Sequence, residues 1–322
     1  MITYQNHAQS FGDSESCNVN AQDNGNMYAQ QYRISPREAT FKLIYSDING
    51  DLWNCTGTLI NRHTSDAEVG FYFLTARHCS YNINYNEVQT LCFNYQSPDG
   101  FSSNTANSNE GHDYVQSGRD FYNLNILETE GYEYLHKSKL RLVQEYAWGD
   151  FALLEILTPV PPHFNISFAG WNPSLFHNGV TIGTPSSYFD PYISIHHPKG
   201  DIKKVSTTSY IHWNENPVAT DCYTITTVIN VLFGWIWGNQ VSTQVICNWL
   251  DNPYFTVFGW QHGITQTGSS GSGMFNRNNN QIGVLSFGPE NFCNVGNFDN
   301  YGKLRSQYSK QSIKNILNPF KQ

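Results

Sequence analysis

Three short strings carry residue types that together could perform acyl transfer. The first is Thr267-Gly268-Ser269-Ser270-Gly271-Ser272-Gly273. Glycines on both sides of a serine let the backbone turn sharply and bring amide N–H groups beside a hydroxyl. That supplies a nucleophile together with donors for the oxygen that becomes negative. By itself such a turn proves little, because Gly/Ser-rich turns are common. The second string, Phe73-Leu74-Thr75-Ala76-Arg77-His78-Cys79, sets a histidine at the end of an apolar strand. A general base belongs on such a rigid element, although a structural histidine in a turn has the same local pattern. The third, Trp148-Gly149-Asp150-Phe151-Ala152-Leu153-Leu154, puts an aspartate just before an apolar strand. It serves there either as a turn residue or as the carboxylate that fixes a histidine tautomer and stabilises the imidazolium.

In the order His78, Asp150, Ser270 these strings resemble the chymotrypsin-like serine peptidases, and the bacterial lysyl endopeptidases in particular. S-C-N-V-N at Ser16, F-L-T-A-R-H-C at Phe73, F-N-Y-Q at Phe93, I-H-H-P-K at Ile195 and G-S-S-G-S at Gly268 all look like that family. The resemblance runs from Ser14 to Tyr301. It implies a secreted serine endopeptidase that hydrolyses peptide bonds after basic residues, lysine preferred, through an acyl-enzyme intermediate. Ser270 would be the nucleophile, His78 the base and then the acid, and Asp150 the residue that orients it. The N–H groups of Gly268 and Ser270 would form the oxyanion hole. Ser286-Phe287-Gly288 resembles the S-W-G segment that lines the primary pocket and pairs with substrate backbone. One position departs from the wider pattern. The residue before the nucleophile, usually an aspartate that receives the new N-terminus after zymogen cleavage, is Ser269, so activation through a buried ammonium is not expected.

Specificity follows from the same resemblance. The acid of a trypsin pocket lies six residues before the nucleophile, where this chain has Ile264, which cannot pair with a cation. Lysyl endopeptidases place the acid on a later strand, and Phe298-Asp299-Asn300-Tyr301-Gly302 resembles it, with Asp299 in the pocket. A carboxylate in a narrow, partly dry pocket selects a Lys or Arg side chain because either charge left unpaired is costly. A turn residue beside Asn297 and Asn300 is the other role open to Asp299. Trp213 resembles the family's pocket-edge tryptophan, while Ser286 stands where the lysyl enzymes carry a histidine, so strict exclusion of arginine is not implied. Two further readings stay open: a serine peptidase with apolar primary specificity, and a catalytically silent trypsin-fold binding protein. The resemblance pairs Cys17 with Cys293 and Cys55 with Cys79. Cys222 and Cys247 have no family counterpart but bracket the apolar Tyr223 to Ile246 segment, where they are expected to bridge an inserted hairpin. Cys92, on an apolar strand, is expected to be a buried free thiol.

The elements that must position these residues are strands. Charged residues make up only 14% of the 322 and aromatics 15%, with 25 Gly, a mix that favours short strands joined by turns. β-rich runs are expected at Thr40 to Tyr45, Leu52 to Ile60, Gly70 to Thr75, Val88 to Tyr95, Asn123 to Glu128, Lys139 to Tyr146 and Phe151 to Ile156. A second set follows the Pro-rich linker Thr158 to Pro162: Tyr192 to His196, Lys203 to Tyr210, Tyr223 to Val231, Val241 to Trp249, Thr256 to Trp260 and Gln281 to Ser286. The pattern predicts an all-β chain of two antiparallel Greek-key barrels with a short C-terminal helix. The expected divisions are an N-terminal arm over 1–33, a first barrel over 34–160 and a second over 161–303, with the inserted hairpin at about 217–252. The helix occupies 304–322, with Leu304, Tyr308, Ile313 and Leu317 on one face.

The formal charge of −8 comes with no basic stripe, which excludes nucleic-acid binding and is weakly compatible with cationic substrates. The most apolar run, Val228 to Gly238, is about half the length of a spanning helix and reads as two strands with a turn at Gly234. No metal or other cofactor is expected, since His196 and His197 are adjacent and face opposite sides of a strand. Seven cysteines suggest an oxidising compartment, hence a secreted or periplasmic protein, although Met1 to Gln5 shows no export signal. The expected partners are polypeptide substrates and a propeptide or protein inhibitor, with the chain itself a monomer.

Overall fold

The turn-bounded β-rich runs become strands, and their pairing decides which motifs meet. The computed structural model describes residues 14–21, 34–62, 70–96, 135–171, 192–213, 218–233, 236–250, 252–276, 278–293, 295, 298–308 and 310–317. In chain order the first strands are β1 (Val19–Asn20), β2 (Thr40–Ser46), β3 (Leu52–Leu59), β4 (Phe71–Ala76), β5 (Gln89–Cys92), β6 (Leu135–Ser138), β7 (Leu140–Tyr146) and β8 (Phe151–Ile156). Next come β9 (Gly170–Trp171), β10 (Tyr192–His196), β11 (Lys204–Thr208), β12 (Ile211–Trp213), β13 (Val218–Phe233) and β14 (Ile236–Leu250). The last are β15 (Tyr254–Phe258), β16 (Gly273–Phe275), β17 (Asn280–Phe287) and β18 (Phe298–Lys303). Helices are short: α1 (Ile34–Ala39), α2 (Arg77–Ser80), α3 (Leu304–Tyr308) and α4 (Gln311–Leu317).

Two curled antiparallel sheets make an all-β fold. The first runs β6-β5-β2-β3-β4-β8-β7. The second runs β1-β11-β10-β16-β17-β18-β15-β12, with β9 joined in parallel to β17. Strands β2, β4 and β8 are buried on both faces, and the Phe41 ring packs edge-on to Phe73 at 5.1 Å and against Phe93 at 4.9 Å. Such a dry, interlocked centre leaves the strand ends little freedom. In the β4–β8 ladder Ala76 lies opposite Phe151. The residues just beyond that rung, His78 on one side and Asp150 on the other, therefore emerge at the same sheet end.

The C-terminal segment differs from the expected single helix. It is two helices, α3 and α4, with Leu304, Ile313 and Leu317 all buried. In a straight helix of about 100° per residue, positions nine apart point to opposite sides, so Leu304 and Ile313 could not both reach the core. Breaking the helix buries both. Between the two sheets Pro162–Phe164 forms a short 3₁₀ turn, with Val160 buried before it and Phe164 buried within it.

Residues Asn214–Pro253 form a compact unit of their own. There β13 and β14 pair from Val218↔Leu250 to Phe233↔Ile236. The register shifts between Thr220↔Asn248 and Tyr223↔Ile246, the stretch that contains Cys222 and Cys247. The side chains of both cysteines and of Trp213 lie outside the described residues, as does the expected strand at Asn123 to Glu128.

Candidate active site

His78 sits in α2, the single turn that follows β4. Its Nδ1 lies 2.6 Å from Asp150 Oδ2, and its backbone N–H donates to Asp150 Oδ1 at 2.9 Å. Arg77 N–H donates to the Asp150 carbonyl at 2.9 Å, so three contacts from α2 fasten one residue. Asp150 adopts φ +50°, a left-handed conformation that aspartate tolerates better than most residues. That conformation turns the carboxylate back toward the histidine. The aspartate side chain is 16% exposed and the histidine 48%, so the carboxylate is shielded while the ring faces solvent.

Ser270 stands across from them on the turn that precedes β16. Thr56 N–H donates to the Ser270 carbonyl at 2.8 Å, which ties this turn to the first sheet. The Cys55–Cys79 disulfide lies beside it, with Cys79 Sγ 3.8 Å from the same carbonyl. Gly268 (φ +91°) and Gly271 (φ +86°) flank the serine in left-handed conformations, which L side chains adopt only under strain. Among the described residues, the N–H groups of Gly268 and Ser270 have no acceptor, whereas those of Ser269, Gly271 and Ser272 do. Two such donors on one tight turn are what a developing oxyanion needs. Among the described residues the His78 ring bonds to Asp150 alone. Bonds between nucleophile and base are commonly long in unliganded enzymes and tighten with substrate.

Asp299, on β18, is 2% exposed. Its Oδ2 accepts from Trp260 Nε1 at 2.7 Å, Thr265 Oγ at 2.7 Å and Asn291 Nδ2 at 3.0 Å. Burial pushes the carboxyl pKa up to about 6, and the three donors pull it back down. The other oxygen, Oδ1, faces the exposed backbone of Gly288, where any Cβ would overlap it. No side chain fits at position 288 without displacing Oδ1. Ile264 is buried and carries no charge to this place.

The structure departs from expectation at Ser286. Its Oγ donates to Asp150 Oδ2 at 2.7 Å, so its side chain supports the aspartate rather than lining a cation pocket. The β17–β18 register shifts between Leu285 and Phe287, and at that irregularity Ser286 is buried, like Leu285 before it, while Phe287 is exposed. Ser286→Ala is expected to lower kcat/KM about tenfold, the equivalent of about 1.5 kcal/mol for one hydrogen bond to a charged group. The ratio of lysyl to arginyl amide hydrolysis should not move, and a change in that ratio would return Ser286 to the pocket.

Sequence reasoning missed Trp260, Thr265 and Asn291. Only Thr265 carried a signal, as the neighbour of the trypsin acid position. Cys17 is joined to Cys293, and Cys92 is a buried free thiol. Burial pushes the Cys92 pKa up to about 12, so it is unreactive. Cys55, His78 and Cys79 place possible ligand atoms within 4.8 Å of one another. Both sulfurs are consumed by the disulfide, however, and a disulfide offers no thiolate. His196 and His197 turn to different partners, the first to serine hydroxyls and the second to the Asp201 carbonyl.

A family model described as lysyl endopeptidase, C-terminal domain, matches residues 11–302. Among solved structures the chain is similar to the active form of a protease from M. tuberculosis, with 9% identity over 99% of this chain and 94% of that one, at a TM-score of 0.44. It is also similar to the HtrA-type protease AlgW with a tripeptide, with 12% identity over 88% of this chain and 61% of that one, at a TM-score of 0.44. A serine endoprotease from Yersinia pestis shows 14% identity over 87% of this chain and 64% of that one, at a TM-score of 0.41.

Proposed function

The chain belongs to the family of the lysyl endopeptidase C-terminal domain, and from that premise we propose that it is a secreted endopeptidase cleaving after basic residues, lysine above all. It is a serine protease of trypsin-like fold that acts on polypeptides. Two disulfides suit an oxidising compartment, and no described helix is long and apolar enough to cross a membrane.

In the proposed reaction Ser270 Oγ attacks the scissile carbonyl carbon while His78 Nε2 takes the hydroxyl proton. The carbonyl electron pair moves onto oxygen, which the N–H groups of Gly268 and Ser270 receive. Asp150 stays ionised, holds the proton on His78 Nδ1 and stabilises the imidazolium. Collapse of the tetrahedral adduct breaks the C–N bond, and His78 passes its proton to the departing amine. Water then attacks the acyl-enzyme with the same base, releasing the acid product and restoring Ser270.

The basic preference rests chiefly on Asp299. Three donors occupy Oδ2, while Oδ1 lies beside Gly288. A lysyl ammonium reaching Oδ1 would relieve a carboxylate that burial otherwise disfavours. The exposed Phe287–Gly288 edge offers backbone groups to an extended substrate in β fashion.

Mass spectrometry of a denatured protein digest tests this reading. New C-termini should be mostly lysine, with arginine a minority. Cleavage after apolar residues would show that Asp299 does not define the pocket. A fluorophosphonate should label Ser270, and an unlabelled but folded protein would favour the binding-protein reading instead.

A further inference from the structure

Behind the nucleophile turn lies a buried polar relay that the reaction scheme does not use. Ser269, next to the candidate nucleophile, is fully buried. Its Oγ accepts from the Gln266 N–H at 3.1 Å and lies 2.8 Å from His196 Nδ1. The second ring nitrogen, Nε2, lies 2.8 Å from Ser206 Oγ on the neighbouring strand β11. Burial, aided by the nearby Lys204, pushes the His196 pKa down to about 3. The ring is therefore neutral, donating at one nitrogen and accepting at the other, and either tautomer satisfies both serines.

Gln266 is held from its other side by the N-terminal arm. Its Oε1 accepts from Glu15 N–H at 2.9 Å and from Asn18 Nδ2 at 3.1 Å. Asn18 Oδ1 in turn accepts from Ile264 N–H at 3.1 Å. The Cys17–Cys293 disulfide and the β1–β11 pairing keep the arm in place. These contacts converge on residues 264–269, which lead directly into the Gly268 and Ser270 donors.

An aspartate at position 269 could anchor this turn by an ion pair. A serine carries no charge and must be anchored otherwise. We propose that His196 and Ser269 form a neutral clamp, backed by Glu15 and Asn18 of the arm through Gln266, which holds the Gly268 and Ser270 N–H groups in their oxyanion position. His196 is thus a positioning residue for the reaction, and this inference rests on Ser270 being the nucleophile. Left-handed glycines on both sides make the turn intrinsically pliable, so its donors need an anchor between them. Losing the aim of one oxyanion donor costs about 10²- to 10³-fold in kcat.

Two near-isosteric substitutions separate positioning from mere packing. Asparagine can place an amide near the Nδ1 position that meets Ser269, whereas glutamine reaches toward the Nε2 position that meets Ser206. With a lysyl amide substrate, His196→Gln should lose about 100-fold in kcat with KM within about twofold. His196→Asn should keep most of kcat at a comparable melting temperature. Equal kcat in the two variants, or losses of kcat that simply track losses of melting temperature, would overturn the clamp. If a ring replacement fails to fold, Ser269→Ala against Ser206→Ala makes the same comparison. The first should lower kcat selectively and the second should lower stability alone; the reverse pattern, or no difference, refutes it. Fluorophosphonate labelling of the unmutated enzyme is the control for the underlying reading. Absence of label at Ser270 rejects the proposed nucleophile, while normal labelling with insensitive position 269 and 196 variants rejects only the clamp.

Discussion

Asparagine in place of Asp150 is expected to lower kcat about 10⁴-fold while leaving the fold and substrate binding nearly unchanged. The geometry explains both halves of this result. Asparagine also tolerates the left-handed conformation at φ +50°, and its carbonyl can still accept from the His78 backbone N–H. Its amide nitrogen, however, would stand where Oδ2 now lies 2.6 Å from His78 Nδ1. That nitrogen donates, so Nδ1 must accept, and the ring proton moves to Nε2. The nitrogen that should receive the Ser270 proton is then already occupied. Steady-state kinetics on a lysyl amide, with circular dichroism as the folding control, give the answer. Loss of less than about tenfold in a folded variant would remove Asp150 from the triad.

Removal of the Asp299 charge should have the second largest effect, and it should be selective. Asp299→Asn keeps the side-chain volume but leaves a lysyl ammonium buried without a counter-charge. Breaking a buried pair on one side costs about 3–5 kcal/mol, equivalent to roughly two hundred- to four thousand-fold in kcat/KM for lysyl substrates. Labelling of Ser270 by a small fluorophosphonate should persist, because the reagent places no cation in the pocket. Full retention of lysyl cleavage would discard Asp299 as the specificity acid.

The same residue predicts a pH dependence of definite sign. In the empty pocket Asp299 is protonated below about 6 and ionised above it. Inhibition by a simple alkylamine should therefore weaken as pH falls through about 6, and this inflection should vanish in Asp299→Asn. For stability, the folded pKa exceeds the ordinary 3.8, so between 3.8 and about 6 the folded state holds more proton than the unfolded one. Asp299 thus contributes stability at low pH that is lost as pH rises through about 6. Amine binding offsets that loss, and the shift in melting temperature on adding amine should be larger at pH 8 than at pH 5.

Ser286 shows where the sequence was legible and where it was not. The string Ser286-Phe287-Gly288 marks a strand at the site, and that much is a local property. Which of its side chains faces the pocket depends on register, and a one-residue difference in facing turns a pocket residue into a support for Asp150. Asp299 shows the complementary case. The segment around it resembles that of a known family, but the donors from Trp260, Thr265 and Asn291 come from separate stretches of chain that only folding brings together. The tail behaves similarly, since its apolar pattern suggested one helix whereas the need to bury both Leu304 and Ile313 imposed two.

The strings around His78, Asp150 and Ser270 need no tertiary information to be recognised, because a strand end, a pre-strand acid and a glycine-flanked serine are local patterns of residue type. Composition and turn residues likewise suffice to specify many short strands. Only the folded chain decides that Ala76 pairs with Phe151 and so sets His78 beside Asp150, that Thr56 anchors the Ser270 turn, and that the distant arm reaches Gln266. These are contacts between residues 72 to 251 positions apart in the chain. Local preference cannot encode them, because they depend on how two sheets bury their apolar faces and where their hydrogen-bond registers then leave the ends.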